Sequence, residues 1–267
     1  MDETEKKRRV MDAELVPRPD SAFLRFLLGT PYLRVIGRRI VPLYSIRTSE
    51  GIVLHLRSNY DFDAATVAEV VYRGIYERFF KPDKGQVVID VGAHIGSFTV
   101  KASMEVGGEG HVVALEPSSS NFKMLRMNVQ ANHCDNVTAL NVAAGSKEDT
   151  GLLKLYARPG GNSFYRRELE DVGTERVSIT TLDSVTAQSD FGRVDFIKID
   201  VEGYELEVLR GAAKTLDSFH PNIAMETHDF GPSSEELAQY LQQFDYSVKS
   251  TPYGSRLGLM YASRISH

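Results

Sequence analysis

The stretch VVIDVGAHIGSFTV, Val87–Val100, constrains the fold more than any other part of the chain. It opens with a β-branched run, reaches an acid at Asp90, and turns through Gly92 and Gly96 into a segment with helical spacing. An apolar strand, a glycine turn and a helix make the repeating unit of an open, mostly parallel α/β sheet buried on both faces. From Gly85 onward this alternation continues. It predicts strands over 86–91, 111–116, 137–142, 195–201, 221–227, 246–250 and 257–263, and helices over 97–106, 118–132, 204–217 and 233–244. Only the turn STPYGS separates the last two strands, which predicts an antiparallel end to the sheet. The segment 151–183 departs from the alternation: GLLKLYA and VSITTLDS read as extra strands around a polar loop, whose residues 158–175 have the length of a lid over an acceptor.

Upstream, LYSIRTSEGIVLHLRS carries two alternating runs joined through Ser49-Glu50-Gly51, a hairpin signal. DAATVAEVVYRGIYERFF then spaces Val67, Val70, Val71, Ile75 and Phe79 as a helix does, until Lys81-Pro82 stops it. Residues 1–20 are charged, lack an apolar core, and read as a disordered tail rather than a signal peptide. Residues 21–44 are apolar but broken by Arg25, Gly29, Pro31, Arg34, Arg38 and Arg39, so they make a poor membrane span. They read as a helical arm. It would pack on the main domain or on a second copy in a homodimer, or make peripheral membrane contact. The expected organisation is thus a tail over 1–20, an arm, hairpin and helix over 21–84, and a ligand-binding domain over 85–267. The expected location is cytoplasmic, with membrane association through the arm left open.

In open α/β sheets ligands bind beyond the carboxyl ends of the strands, near the first one. A dinucleotide site wants G-x-G-x-x-G there, so that backbone meets a pyrophosphate. Here Asp90 holds the first glycine position. A carboxylate repels a pyrophosphate but suits an ammonium and a sulfonium, while the loop amides of Gly92, Ala93, His94 and Gly96 can take the ligand's own carboxylate. S-adenosylmethionine carries all three groups, and NAD carries neither cation. Glu116, ending the second strand in HVVALEP, is placed for both ribose hydroxyls. Val142 and Ala143, in NVAAGS, are placed to touch the adenine edge through their backbone. Plain turn chemistry, a helix N-terminal acid or a surface acid would account for these residues singly.

The fourth strand ends in IKIDVEGYELEVL, bringing Asp200 and Glu202 to the same rim, and the fifth ends in AMETHDF, bringing Glu226 and His228. Such acids can hold a substrate hydroxyl or take its proton, and they also cap helices. Glu202 and His228 are the catalytic candidates, and Asp200 sits nearer the cofactor. Asp200, Glu202 and Glu226 could also offer oxygen ligands to Mg²⁺. With no H-E-x-x-H, no cysteine set and no tight acidic cluster in the sequence, a metal is not favoured. The single cysteine, Cys134, permits no internal disulfide. A net charge of −5 argues against a duplex nucleic-acid partner, and DVEGYE stands where an amino-methylating nucleic-acid enzyme carries Asn/Asp-Pro-Pro-aromatic.

Taken in order, VIDVGAHIGSFT, ALEPSSSNFKMLRMNV, NVAAGSKEDTG, VSITTLDS and IKIDVEGYELEVLRGA make the region Gly85–His228 resemble the FkbM family of S-adenosylmethionine-dependent methyltransferases. His94 stands where many methyltransferase loops have a middle glycine, as is common in that family. The resemblance implies a class I methyltransferase, Rossmann-like fold with a seven-stranded sheet. It also implies O-methylation of a hydroxyl on a small molecule, sugar or lipid-linked acceptor. A non-catalytic S-adenosylmethionine-binding or scaffold protein is the alternative.

Overall fold

The structure is a computed structural model. It describes residues 32–36, 39–58, 61–156, 162–164, 171–189, 191–253 and 257–265; the expected tail over 1–20 and the first part of the arm lie outside the described residues. Strands β1 (Tyr32–Ile36), β2 (Arg39–Arg47) and β3 (Val53–Arg57) form an antiparallel three-stranded sheet. The helical arm expected over 21–44 is therefore corrected: 32–36 and 39–47 are strands. The pairs Val35-Ile36 and Ile40-Val41 are β-branched, and such residues favour strands over helices. The hairpin turn falls where the sequence put it. Thr48 donates its N–H to Ile52 O (2.9 Å) and accepts from Gly51 N–H (3.0 Å).

Helix α1 (Asp61–Val67) follows, and continues as a π-helical turn over Ala68–Tyr72 and a 3₁₀ turn over Ile75–Glu77. The long helix expected over this region breaks at Gly74, which enters the left-handed region (φ 57°). The hairpin is not a separate appendage. Leu43, Ile52, Leu54 and Leu56 bury against Val67 and Val71, and also against Ile95, Val100 and Met124 of the main domain. Along the outer edge of β3, Asn132 Oδ1 accepts from Val53 N (2.8 Å) and Asn128 Oδ1 from His55 N (2.7 Å). Two amide side chains thus pair backbone groups that an exposed strand edge would leave open.

The main sheet is built from β4 (Val87–Val91), β5 (His111–Leu115) and β6 (Val137–Leu140), joined through helices α2 (Ser97–Val106) and α3 (Ser119–Ala131). Short β7 (Ala143–Ala144), β8 (Asp149–Tyr156) and β9 (Asp171–Thr180) form a second three-stranded sheet in the order β7-β9-β8. The predicted strand VSITTLDS ends at Thr180, because Thr181 Oγ1 accepts from Ser184 N (2.9 Å) and caps α4 (Leu182–Ala187). β10 (Phe196–Ile199), α5 (Glu205–Arg210), α6 (Ala213–Phe219), β11 (Asn222–His228), α7 (Ser234–Gln242), β12 (Tyr246–Tyr253) and β13 (Leu257–Arg264) complete the chain.

The seven-stranded sheet has the order β12-β13-β11-β10-β4-β5-β6. The run β11-β10-β4-β5-β6 is parallel, and β13 runs antiparallel to both β11 and β12. This is the mostly parallel sheet with an antiparallel end that the sequence predicts. Every residue of β4 and β10 is buried. Ile89, Val91, Ile197 and Ile199 face α4–α7 through Leu182, Leu209, Leu216 and Leu237. Val88 and Phe196 face α2 and the 3₁₀ turn through Phe98, Ala102 and Tyr76. Each such side chain contributes roughly 1.5–3 kcal/mol of burial.

The helix expected over 204–217 splits at Gly211. A Cβ there would lie 1.9 Å from Gly145 O, so the chain must be bare where it crosses the β7 loop. Asp183 then caps the new helix, accepting from Thr215 N (2.8 Å) and Lys214 N (3.1 Å).

Candidate functional site

Beyond the carboxyl ends of β4, β5 and β10 lies a cleft of about 830 Å³, part of it open to solvent. Its walls come from the β4–α2 loop, the end of β5, the β6–β7 link, the turn after β10, the helical segment 62–76, and residues 162–164. Gly92, Ala93 and His94 line it, as do Glu116, Val142, Ala143, Asp200 and Glu202. Three predicted residues do not: Gly96 starts α2 behind the loop, and Asp90 and His228 sit one layer beneath.

The loop is rigidly held. Gly92 N and Ala93 N both donate to Leu115 O (3.0 Å each), and His94 N donates to Glu116 Oε2 (2.8 Å). Gly92 carries φ 77°, and a Cβ on it would stand 1.8 Å from Asp200 O. The loop after β4 and the turn after β10 therefore meet backbone to backbone.

Asp90 lies beneath the loop. It is fully buried, accepts from Thr99 Oγ1 (2.5 Å) and pairs with Lys198 Nζ at 3.1 Å. Its charge thus meets a lysine before any ligand cation. Lys198, in a strand that reads as wholly apolar, was missed. It donates to Gly92 O (2.6 Å), lies 4.0 Å from Asp200, and lines the cleft. Burial opposes its charge, but Asp90 and Asp200 outweigh burial and hold the ammonium above its ordinary pKa. A charged residue inside FIKID was the available signal.

Glu116 accepts from His94 N and from Ser118 N (2.9 Å). Burial pushes its carboxyl up to about 7, against the pull of these donors. Tyr76, also unsuspected, donates toward Asp200 Oδ2 (3.0 Å) and Glu226 Oε2 (3.2 Å). Burial and then the charge of Asp200 hold Glu226 well above the usual carboxylate range. Only packing brings Tyr76 there, across a large sequence gap.

Glu202 adopts the left-handed conformation (φ 52°), which turns the chain at the end of β10. Ser163 Oγ donates to Glu202 O (2.6 Å), and Phe164 packs on Tyr204 with ring centroids 4.9 Å apart. Behind Glu202, His228 Nε2 lies 3.6 Å from its Oε2, and His228 Nδ1 lies 3.0 Å from Glu205 Oε1. Burial works against the imidazolium, but the hydrogen bond to Glu205 and the charges of Glu202, Glu205 and Asp200 raise it to about 10. His228 thus lies between two acids that favour its imidazolium form. Asp200, Glu202 and His228 bring one ligand atom each to within 4.8 Å of one another. Any divalent ion here would have to displace the proton on His228.

Next to the β4–α2 loop, Arg57 of β3 and Asp63 of α1 form a buried pair. Arg57 Nε and Nη2 donate to Asp63 Oδ2 (2.9 Å) and Oδ1 (2.7 Å), and Nη1 donates to Asn121 Oδ1 (3.0 Å). Arg57 Nη2 also lies 3.2 Å from His94 Nε2.

A Rossmann-like sheet with an acid at the end of β5, acids at the end of β10 and a bare loop after β4 defines the class I methyltransferase fold. The chain belongs to the FkbM methyltransferase family: the family model described as Methyltransferase FkbM domain matches residues 90–248. It is similar to the 31-O-demethyl-FK506 methyltransferase FkbM of Streptomyces tacrolimicus, 30% identical over 195 residues, covering 61% of this chain and 74% of that one. It is 24% identical over 170 residues to the hexuronic acid methyltransferase AglP of Haloferax volcanii, covering 63% of this chain and 66% of that one. It is also 24% identical over 165 residues to Methyltransferase 1 of Beauveria bassiana, covering 53% of this chain and 64% of that one. The chain thus spans just under two thirds of the length of the last two. The crystal structure of methyltransferase FkbM from Methylobacillus flagellatus KT shares the fold, with a TM-score of 0.50 and 21% identity over 73% of this chain and 47% of that one. Among the described residues, no helix is long and apolar enough to cross a membrane.

Proposed function

We propose that the chain is an S-adenosylmethionine-dependent O-methyltransferase acting on a hydroxyl of a small-molecule, sugar or lipid-linked acceptor. The observation that carries this reading is Glu202. It lines the same cleft as Glu116 and the Gly92–His94 loop, and its carboxylate is backed by His228, which also pairs with Glu205. Two similar proteins support the acceptor class, one described as acting at the 31-O position of FK506 and one as acting on hexuronic acid.

S-adenosylmethionine supplies a methyl group already activated by its positive sulfur. The protein's task is then alignment, exclusion of water and removal of one proton. Glu116 would accept the ribose hydroxyls and the backbone of Val142 and Ala143 would border the adenine, all three residues lining the cleft. With the methyl donor bound, Glu202 would accept the proton of the acceptor hydroxyl as the methyl group moves to its oxygen and S-adenosylhomocysteine leaves. His228 stands between Glu202 and Glu205, at 3.6 Å and 3.0 Å, and orients the Glu202 side chain. Tyr76 holds the Asp200 and Glu226 side chains together at the rim through its hydroxyl.

The test is transfer of labelled methyl to a panel of hydroxylated acceptors. Glu202→Gln should lower turnover at least a hundredfold, the usual scale of general-base catalysis, with S-adenosylhomocysteine affinity within twofold of wild type. Unchanged turnover would remove Glu202 from the chemistry. Cofactor binding with no transfer to any acceptor would favour a non-catalytic binding protein.

A further inference from the structure

Glu202 holds the left-handed conformation (φ 52°) without being a glycine, and Gly203 beside it carries φ 96°. A backbone of this kind persists only where its surroundings hold it. One hydrogen bond on the turn is local: Gly203 N donates to Glu205 Oε1 (2.9 Å), the oxygen that also faces His228 Nδ1. Another comes from far upstream: Ser163 Oγ donates to Glu202 O (2.6 Å), a separation of 39 residues. Glu202 O and Gly203 N belong to one planar peptide unit, so that unit is clamped at both its acceptor and its donor. Ser163 is only 1% exposed, so water competes little for the bond it makes.

Ser163 is itself tethered to the second sheet. It exchanges backbone hydrogen bonds with Lys154 of β8, at 3.1 Å and 3.2 Å. Its neighbour Asn162 accepts through Oδ1 from Tyr156 N (3.0 Å), at the end of the same strand. Phe164, on the other side, packs on Tyr204, two residues beyond Glu202. A Cβ on Gly151 of β8 would stand 2.8 Å from the Phe164 ring, so the ring rests on bare backbone. Asn162, Ser163, Phe164 and Tyr204 line the same cleft as Glu202.

We infer that Ser163 is a positioning residue for methyl transfer: by fixing the carbonyl of Glu202 to β8, it aims the Glu202 carboxylate into the cleft. The inference rests on the reading of Glu202 as the proton acceptor. It gives the second sheet a part in catalysis, as the frame on which that acid is aimed.

The test is a double-mutant cycle on methyl transfer. Ser163→Ala should lower kcat about tenfold, the weight of one hydrogen bond, with S-adenosylhomocysteine affinity within twofold of wild type. On the Glu202→Gln background the same change should cost less than twofold, because Ser163 acts through Glu202 alone. Asn162→Ala, which loosens the segment from β8 and keeps the hydroxyl, should lower kcat in the same sense and lose its effect beside Glu202→Gln. Equal factors on the two backgrounds would make Ser163 a structural residue and overturn the inference, as would wild-type turnover in Ser163→Ala. The carbonyl ¹³C shift of Glu202 supplies a readout apart from turnover, since it reports the hydrogen bonds its oxygen accepts. It should move in Ser163→Ala; an unmoved signal shows that the hydroxyl does not hold that carbonyl and overturns the inference. Full turnover in Glu202→Gln refutes the proton-acceptor reading instead, while the carbonyl shift still judges whether Ser163 holds the turn.

Discussion

Glu116 should make cofactor affinity depend on pH in a range where carboxylates are ordinarily silent. The ribose hydroxyls need an ionised acceptor, and burial holds the Glu116 carboxyl at about 7 in the free protein. At pH 6 about one molecule in ten then carries the charge, and at pH 8 about nine in ten. The dissociation constant for S-adenosylhomocysteine should therefore fall about tenfold between pH 6 and pH 8, about 1.4 kcal/mol. Neighbouring groups do not confuse the reading: His94, at about 4, stays neutral over this range, and His228, at about 10, stays charged. Calorimetry in buffers of different ionisation enthalpy should show release of about half a proton per ligand at pH 7. Glu116→Gln should flatten the profile at the weak end. A flat wild-type profile, or no proton release, would refute the argument that burial controls this acid. Stability follows the opposite sign. A folded pKa raised from 4.5 to about 7 favours the folded state below 4.5, and that advantage disappears as pH rises to 7. Glu105, also raised to about 7, contributes in the same window, so ligand binding is the cleaner assay.

Lys198→Met would leave Asp90 buried without its counter-ion, which costs about 3–5 kcal/mol. The melting temperature should fall by roughly 10 °C, and adding Asp90→Asn should recover most of the loss. Gly92→Ala should abolish S-adenosylhomocysteine binding and lower the melting temperature, because its methyl group would occupy the space of Asp200 O; normal binding would show that the loop and the β10 turn can separate. Methyl transfer should survive EDTA, since His228 holds a proton that a metal ligand cannot keep; loss of activity restored by Mg²⁺ would make Asp200, Glu202 and His228 a metal site.

The parallel strands were legible in the sequence because a strand buried on both faces leaves a run such as VVIDV that few other structures tolerate. Glu116, Asp200 and Glu202 were legible because topology alone puts the carboxyl ends of β5 and β10 at the cleft. What stayed hidden depends on approach across the fold. Arg57 and Tyr76 reach the site from the N-terminal segment, and no local pattern announces a contact between residues so far apart in the chain. Asp90 was read by charge alone, and Lys198 on the neighbouring strand changed the sign of its surroundings. The break at Gly211 follows from a collision with Gly145 O that helical periodicity cannot foresee. The strands over 32–36 and 39–47 were misread because arginines interrupting an apolar run do not by themselves separate a helix from a strand.

The two left-handed residues of the cleft, His94 and Glu202, set this site against the fold that carries it. A side chain with a Cβ in that conformation costs about 1–2 kcal/mol, and glycine or asparagine would relieve it. A library of variants screened for heat resistance alone should therefore drift first at these two positions, and its most robust members should be inert. Directed evolution of a hardier catalyst from this chain would have to hold both residues fixed and seek its gains elsewhere.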